Sequence, residues 1–260
     1  MKIAKGNQTI ETVDDWFLHA PPEKGEKQWV DGRSAKEMAR AWLSGESRQR
    51  LVGLLQPVFG SVTLESAEPE CNVAFDEFSG PRQCDLAVQA SSDLGEIAIH
   101  IEGKADEPFG KLTGEAYDAA IAANALRVGR RKSEVPRRIE GLAENLFGHH
   151  LDEAVRRLRY QLLYSAAAAW ADASERKSIA AVFVVQELHS PKLDGRKLRQ
   201  NANDWEAFLR MFSEVDDQHL KLLDTLIGPV HSFRTQWTNV PLYFAKMITK
   251  CSPTGPGYLP

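Results

Sequence analysis

Asp85, Glu102 and Lys104 are the residues whose types and spacing could do chemistry. Glu102 and Lys104 stand two apart at the end of an apolar run, IHIEGKAD, at 99–106. Side chains alternate across a strand. In 96–105, Ile97, Ile99, Ile101 and Gly103 fall on one face; Glu96, His100, Glu102 and Lys104 fall on the other, with Ala98 the exception. In 83–90, Leu86, Val88 and Ala90 share one face and Asp85, Ala87 and Gln89 the other. A simple hairpin with its turn centred between Asp93 and Leu94 puts Asp85 directly across from Glu102. Their Cβ atoms would then be roughly 4.5–5.5 Å apart, and like charges so placed destabilise a sheet. A divalent cation between them removes the repulsion, because Mg²⁺ is usually held by one or two carboxylates plus waters and phosphate oxygens. The plainer alternative is an ion-pair cluster of Lys104 with both acids, worth little to stability.

The elements that must position these residues can be read along the chain. Residues 20–33 are turn-rich and lead into a helix at 34–43. A second helix at 47–58 follows Gly45 and is expected to stop near Pro57. A strand is expected at 61–66 and an irregular stretch at 67–82 with a short strand around Val73. Strands at 83–90 and 96–105 follow. Residues 106–150 read as a largely helical insertion. Residues 151–174 form the strongest helix, with Leu151, Val155, Leu158, Leu162, Ala166 and Ala169 on one apolar face. The continuous apolar run 178–188 suits a strand buried on both faces. Helices near 202–212 and 215–227, a last strand at 240–248 and a Pro/Gly-rich tail complete a chain expected to be one α/β domain, with residues from about 191 to 260 as a C-terminal extension.

Asp85, followed 17 residues on by Glu102-Gly103-Lys104, resembles the D-x(n)-E-x-K motif of the PD-(D/E)XK nuclease superfamily. The order helix, three strands, helix, strand over 34–66, 83–105 and 151–188 is similar to that family's core. The resemblance implies a restriction-endonuclease-like αβββαβ fold, a mixed sheet flanked by helices, and Mg²⁺-dependent hydrolysis of phosphodiester bonds, with Mn²⁺ as a substitute. By the same resemblance, Asp85 and Glu102 hold the metal, and Lys104 orients the attacking water or stabilises charge on the phosphate. Such a metal lowers the pKa of bound water and clamps phosphate oxygens, and a lysine adds electrostatic stabilisation. Cys84 stands where the motif has proline. Members related to recombination exonucleases carry a Gln and a Tyr four apart on the next helix; here Gln161 and Tyr164 are three apart.

Other candidates weigh less. Glu37 is a possible further ligand, but Ser34 and Glu37 have capping-box spacing. Arg157, Gln161 and Tyr164 would line one flank of a continuous helix, facing a substrate backbone or merely decorating a half-buried surface. His149 and His150 diverge by about 100° on a helix and make poor joint ligands. His100 reads as a hydrogen-bonded core histidine. The six tryptophans, Trp16, Trp29, Trp42, Trp170, Trp205 and Trp237, are not interleaved with basic residues and read as packing.

Composition sets the outer bounds. Of 260 residues, 43% are hydrophobic and 26% charged, as in ordinary globular proteins. No apolar run approaches the ~20 residues of a membrane span, and the N-terminus carries no apolar signal core. Three cysteines without ligand spacing read as reduced thiols of a cytoplasmic protein. The net charge of −4 draws nothing to nucleic acid, yet 127–159 holds nine Arg/Lys against five acids. That segment, with Arg130, Arg131 and Lys132, is a candidate phosphate contact or a solvated helical face. The first expectation is thus a metal-dependent nuclease acting on DNA, with a homodimer as a possible assembly. The second is a non-catalytic nucleic-acid-binding or partner-binding protein on the same fold. No Walker loop, Rossmann glycine pattern or nucleophile elbow supports other chemistry.

Overall fold

The computed structural model describes residues 1–251 apart from 81, 128–130, 191–193, 235, 236 and 238. Two short strands, β1 (Lys2–Lys5) and β2 (Gln8–Thr9), and a helix, α1 (Val13–His19), precede the first expected element. Helices α2 (Ser34–Ser44) and α3 (Glu46–Phe59) follow, hinged at Gly45, whose φ of +92° glycine adopts without strain. Pro57 lies in the last turn of α3, which stops at Phe59, near where expected. Strands β3 (Val62–Val73), β4 (Arg82–Ser92) and β5 (Gly95–Lys104) form an antiparallel meander. Then come α4 (Thr113–Ala125), α5 (Val135–Phe147), α6 (Glu153–Arg156), α7 (Tyr160–Arg176), β6 (Ala180–His189), α8 (Gly195–Leu209), β7 (Ile227–Val230) and β8 (Leu242–Lys250).

The eight strands of the described residues lie in one mixed sheet, in the order β2-β1-β3-β4-β5-β6-β8-β7. β5, β6 and β8 run parallel to one another. Each face of the sheet is covered by helices. One core joins Met38 and Trp42 of α2 and Leu51, Leu54 and Leu55 of α3 to the isoleucines of β5. The other joins the alanine-rich face of α7 and the aromatic residues of α8 to Ala98, Phe183 and Phe244. Ala166–Ala169 and Ala173 are fully buried, so α7 lies close against β5 and β6. The protein is therefore an α/β protein with a helix-flanked mixed sheet. The C-terminal segment is integral to it, since β8 pairs with β6 over nine positions and buries Leu242, Phe244, Ala245 and Met247.

Three expectations from the sequence are corrected. The stretch 67–73 is not irregular but continues β3; a bulge between Leu64 and Ser66 and the positive φ of Glu70 (+49°) break its alternation. The single helix over 151–174 is two. The backbone at 158–160 instead pairs with 111–113, with Thr113 N–H donating to Leu158 O at 2.8 Å and Tyr160 N–H to Lys111 O at 3.1 Å. No helix spans 215–227; the segment holds a 3₁₀ turn at Asp217–His219 and then runs into β7, an edge strand. Among the described residues, no helix is long and apolar enough to cross a membrane.

Candidate active site

The hairpin register is the expected one. β4 and β5 pair Leu86 with Ile101 and Ser92 with Gly95, so the next position sets Asp85 opposite Glu102. β3 extends the row, because the pairs Pro69–Leu86 and Cys71–Cys84 bracket Glu70 opposite Asp85. Three carboxylates, Glu70, Asp85 and Glu102, thus stand side by side on three adjacent strands. They line one cleft of about 550 Å³ together with Lys104.

Each acid has a different surrounding. Glu102 is buried, 1% exposed, and both of its oxygens are engaged. Lys104 Nζ donates to Oε1 at 2.5 Å, Gln161 Nε2 donates to Oε1 at 2.6 Å, and Arg82 donates to Oε2. Burial alone would raise its carboxyl, but Lys104 and then Arg82 outweigh that and hold it below the usual range. Asp85 is half-buried, and its Oδ2 accepts the Gly103 N–H at 2.8 Å. Burial first, and the Glu102 charge second, push Asp85 up to about 7. Glu70 is pushed up to about 8 by burial and then by Asp85 and Glu102. The positive φ of Glu70 turns its carbonyl to Lys5 Nζ, 2.7 Å away, while Lys5 also pairs with Glu68 at 3.0 Å.

Lys104 is 5% exposed and lies 5.4 Å from the Phe109 ring. Burial would lower its ammonium, but Glu102 and Asp85 raise it, so it stays charged. Arg82 sits with its guanidinium 4.8 Å from the Tyr164 ring centre and bonds Ser165 Oγ at 3.2 and 3.3 Å. Against three carboxylates, the cleft floor therefore offers two fixed cations. Burial comes first in lifting Asp85 and Glu70, and the neighbouring carboxylates add to it.

The structure brings together Asp85, Glu102, Lys104, Gln161 and Tyr164 from the sequence reading. Sequence reasoning missed Arg82 and Glu70, because both fall in or beside the stretch read as irregular. The Asp85–Glu102 register does not extend to Glu70 from sequence, because the 74–81 connection and the bulge between Leu64 and Ser66 set the β3–β4 pairing.

Arg157 is corrected. It caps α6, off the helix that carries Gln161 and Tyr164; it is exposed, pairs with Glu153 at 2.9 Å and does not line the cleft. Glu37 makes no capping box with Ser34. It accepts the Gly32 N–H at 2.8 Å and pairs with Arg40 at 2.9 Å, outside the cleft. His100 is the core histidine expected, 3.1 Å from Asp172 on α7. His149 bonds the His150 carbonyl and His150 pairs with Glu144, so the two do not converge.

The basic segment is largely neutralised within the fold. Arg138 makes a two-pronged pair with Asp76 at 2.6 and 2.9 Å, Arg156 pairs with Asp118 at 2.6 Å, and Arg159 with Asp204 at 2.8 Å. Arg131 and Lys132 are exposed, and Arg130 lies outside the described residues. Five of the six tryptophans are buried, which is packing as read, although Trp16 also lines the cleft.

Residues 9–251 match the family model of a domain of unknown function, DUF6946, and the chain belongs to that family. No curated protein matches it, and neither does any solved structure.

Proposed function

We propose that this member of the DUF6946 family is a metal-dependent nuclease that hydrolyses phosphodiester bonds, of DNA in the first instance, on a restriction-endonuclease-like core. The succession α2, β3, β4, β5, α7, β6 supports that core. The observation that carries the reading is the row Glu70–Asp85–Glu102 with Lys104 in one open-mouthed cleft.

A divalent ion, Mg²⁺ with Mn²⁺ as substitute, fits the donor chemistry. Such an ion needs only one or two carboxylates beside waters and phosphate oxygens, and it would take the place of the protons that burial and mutual repulsion keep on Asp85 and Glu70. Asp85 and Glu102 would hold it, and when bound it would acidify water and polarise the phosphate. The remaining work falls to this chain's own groups. Gln161 and Arg82 hold the Glu102 carboxylate in one orientation. Lys104, kept charged beside it, stabilises negative charge developing on a phosphate oxygen. Tyr164 and Arg82 present a ring and a guanidinium at the cleft wall, where a nucleotide would lie.

A second reading, a non-catalytic nucleic-acid-binding or partner-binding protein, has its own support. Glu102 and Lys104 are almost wholly buried. Among the described residues, no group of three His, Cys, Asp or Glu is arranged to hold a metal ion.

The test is incubation of the purified chain with supercoiled plasmid, linear duplex and single-stranded DNA at low salt, with Mg²⁺, Mn²⁺ or EDTA. Asp85→Ala and Lys104→Ala proteins run in parallel. Metal-dependent cleavage lost in both variants is the expected result. No cleavage of any substrate, with salt-sensitive DNA binding retained, transfers the assignment to the second reading.

A further inference from the structure

Phe75 and Phe78 follow β3, Arg137 and Arg138 open α5, and Tyr160 and Tyr164 open α7. These three segments are distant in sequence, yet they wall one continuous depression. The carboxylate cleft shares Arg82, Gln83 and Tyr164 with a neighbouring hollow of about 260 Å³ that reaches Tyr160 and Arg138. That hollow shares Phe75 and Arg138 with a third of about 440 Å³, lined by Phe78 and Arg137. Along it, rings and guanidiniums alternate. Arg82 lies 4.8 Å from Tyr164, Arg138 lies 5.1 Å from Phe75, and Arg137 lies 4.9 Å from Phe78. Tyr160 and Tyr164 stand edge to face, 4.9 Å apart. Tyr160, Tyr164 and Phe78 are half-buried, and each lines the groove.

We propose that this groove seats a single-stranded nucleic acid, one base against the Tyr160–Tyr164 pair and a neighbouring base against Phe78, leading the chain into the carboxylate cleft. The inference rests on the nuclease reading and names its substrate class. Rings that stack bases serve only an unpaired strand, because bases in a duplex are already stacked on one another. The charge pattern points the same way. Arg138 is spent on Asp76, and Glu77, Glu140 and Glu144 also line the outer hollow, so the doubled phosphate charge of a duplex is not favoured there. Stacking rather than counterion release then supplies most of the affinity, and binding weakens less with salt than it does for proteins that track the backbone with many free cations.

The experiment is fluorescence anisotropy of a labelled oligonucleotide, single-stranded or annealed to its complement, titrated with the full chain in EDTA so that no cleavage occurs. The expected result is tighter binding of the single strand. Phe78→Ala and Tyr160→Ala should each weaken it by roughly tenfold, while Phe78→Trp, which keeps a stacking ring in the same loop, binds as the parent does. Duplex binding as tight as single-strand binding, or alanine variants that bind like the parent, overturns the proposal. If either occurs while metal-dependent cleavage of any of the DNA substrates persists, the groove assignment falls alone. No binding to either strand form and no cleavage removes both it and the nuclease reading.

Discussion

Gln161 Nε2 donates to Glu102 Oε1 at 2.6 Å, tying the first turn of α7 to the end of β5. The same oxygen receives the Lys104 ammonium at 2.5 Å. Glu102 is thereby clamped between the helix and its own strand, and a side chain 59 residues away in sequence sets its orientation. Groups that orient a metal-holding carboxylate typically contribute about 10–100-fold to metal affinity or activity. Gln161→Ala should therefore reduce cleavage by about that factor with little change in fold. Steady-state cleavage assays against Mg²⁺ concentration check this, and an unaltered metal dependence would sink the assignment of Gln161.

The carboxylate row makes stability depend on pH in a stated direction. In the folded chain Glu70 and Asp85 bind protons up to about 8 and about 7, whereas unfolded carboxyls release theirs near ~4. Between those limits the native state holds more protons than the unfolded one, so stability falls as pH rises. A cation at the row competes with the protons and flattens the slope. Melting temperatures across this pH range, in EDTA and in Mg²⁺, test both statements; a melting temperature in EDTA that rises toward pH 8 would contradict the first.

Gly103 separates Glu102 from Lys104 because the opposite face has no room. A Cβ there would lie 2.7 Å from Met38 Cγ and 3.6 Å from Asp85 Oδ2. Overpacking of this kind costs about 1–3 kcal/mol. Gly103→Ala should show that loss in urea denaturation, and far less of it in a Met38→Ala background, since the two sites touch and their effects do not add. Equal losses in both backgrounds would mean that the contact is not the cause.

Arg157 lies away from the cleft and pairs with Glu153 across the surface of α6. Arg157→Ala should leave oligonucleotide affinity unchanged and alter stability by no more than about 0.5 kcal/mol. A clear fall in affinity, read by the same anisotropy titration, would place the nucleic-acid path on the other side of α6.

The alternation of β5 and the turn at Asp93–Leu94 are local facts, and the amino-acid sequence by itself determined from them the partner strand, its register and the meeting of Asp85 with Glu102. The buried strand β6 was equally legible, because its apolar run admits no exposed face. Period and turn chemistry, however, describe a segment only against itself. The break between α6 and α7 depends on backbone pairing of 158–160 with 111–113, and β3 runs on past its bulge because β4 supplies partners as far as Val73. Neither partner can be seen from within the segment. For the same reason the tertiary structure alone decided that Arg82 faces Glu102, that Glu70 completes the row of acids, and that most of the basic segment is neutralised by acids such as Asp76, Asp118 and Asp204. Hydrogen bonds and charges are satisfied by whatever the fold brings near, and nearness across the chain is settled only when the sheet closes over both cores.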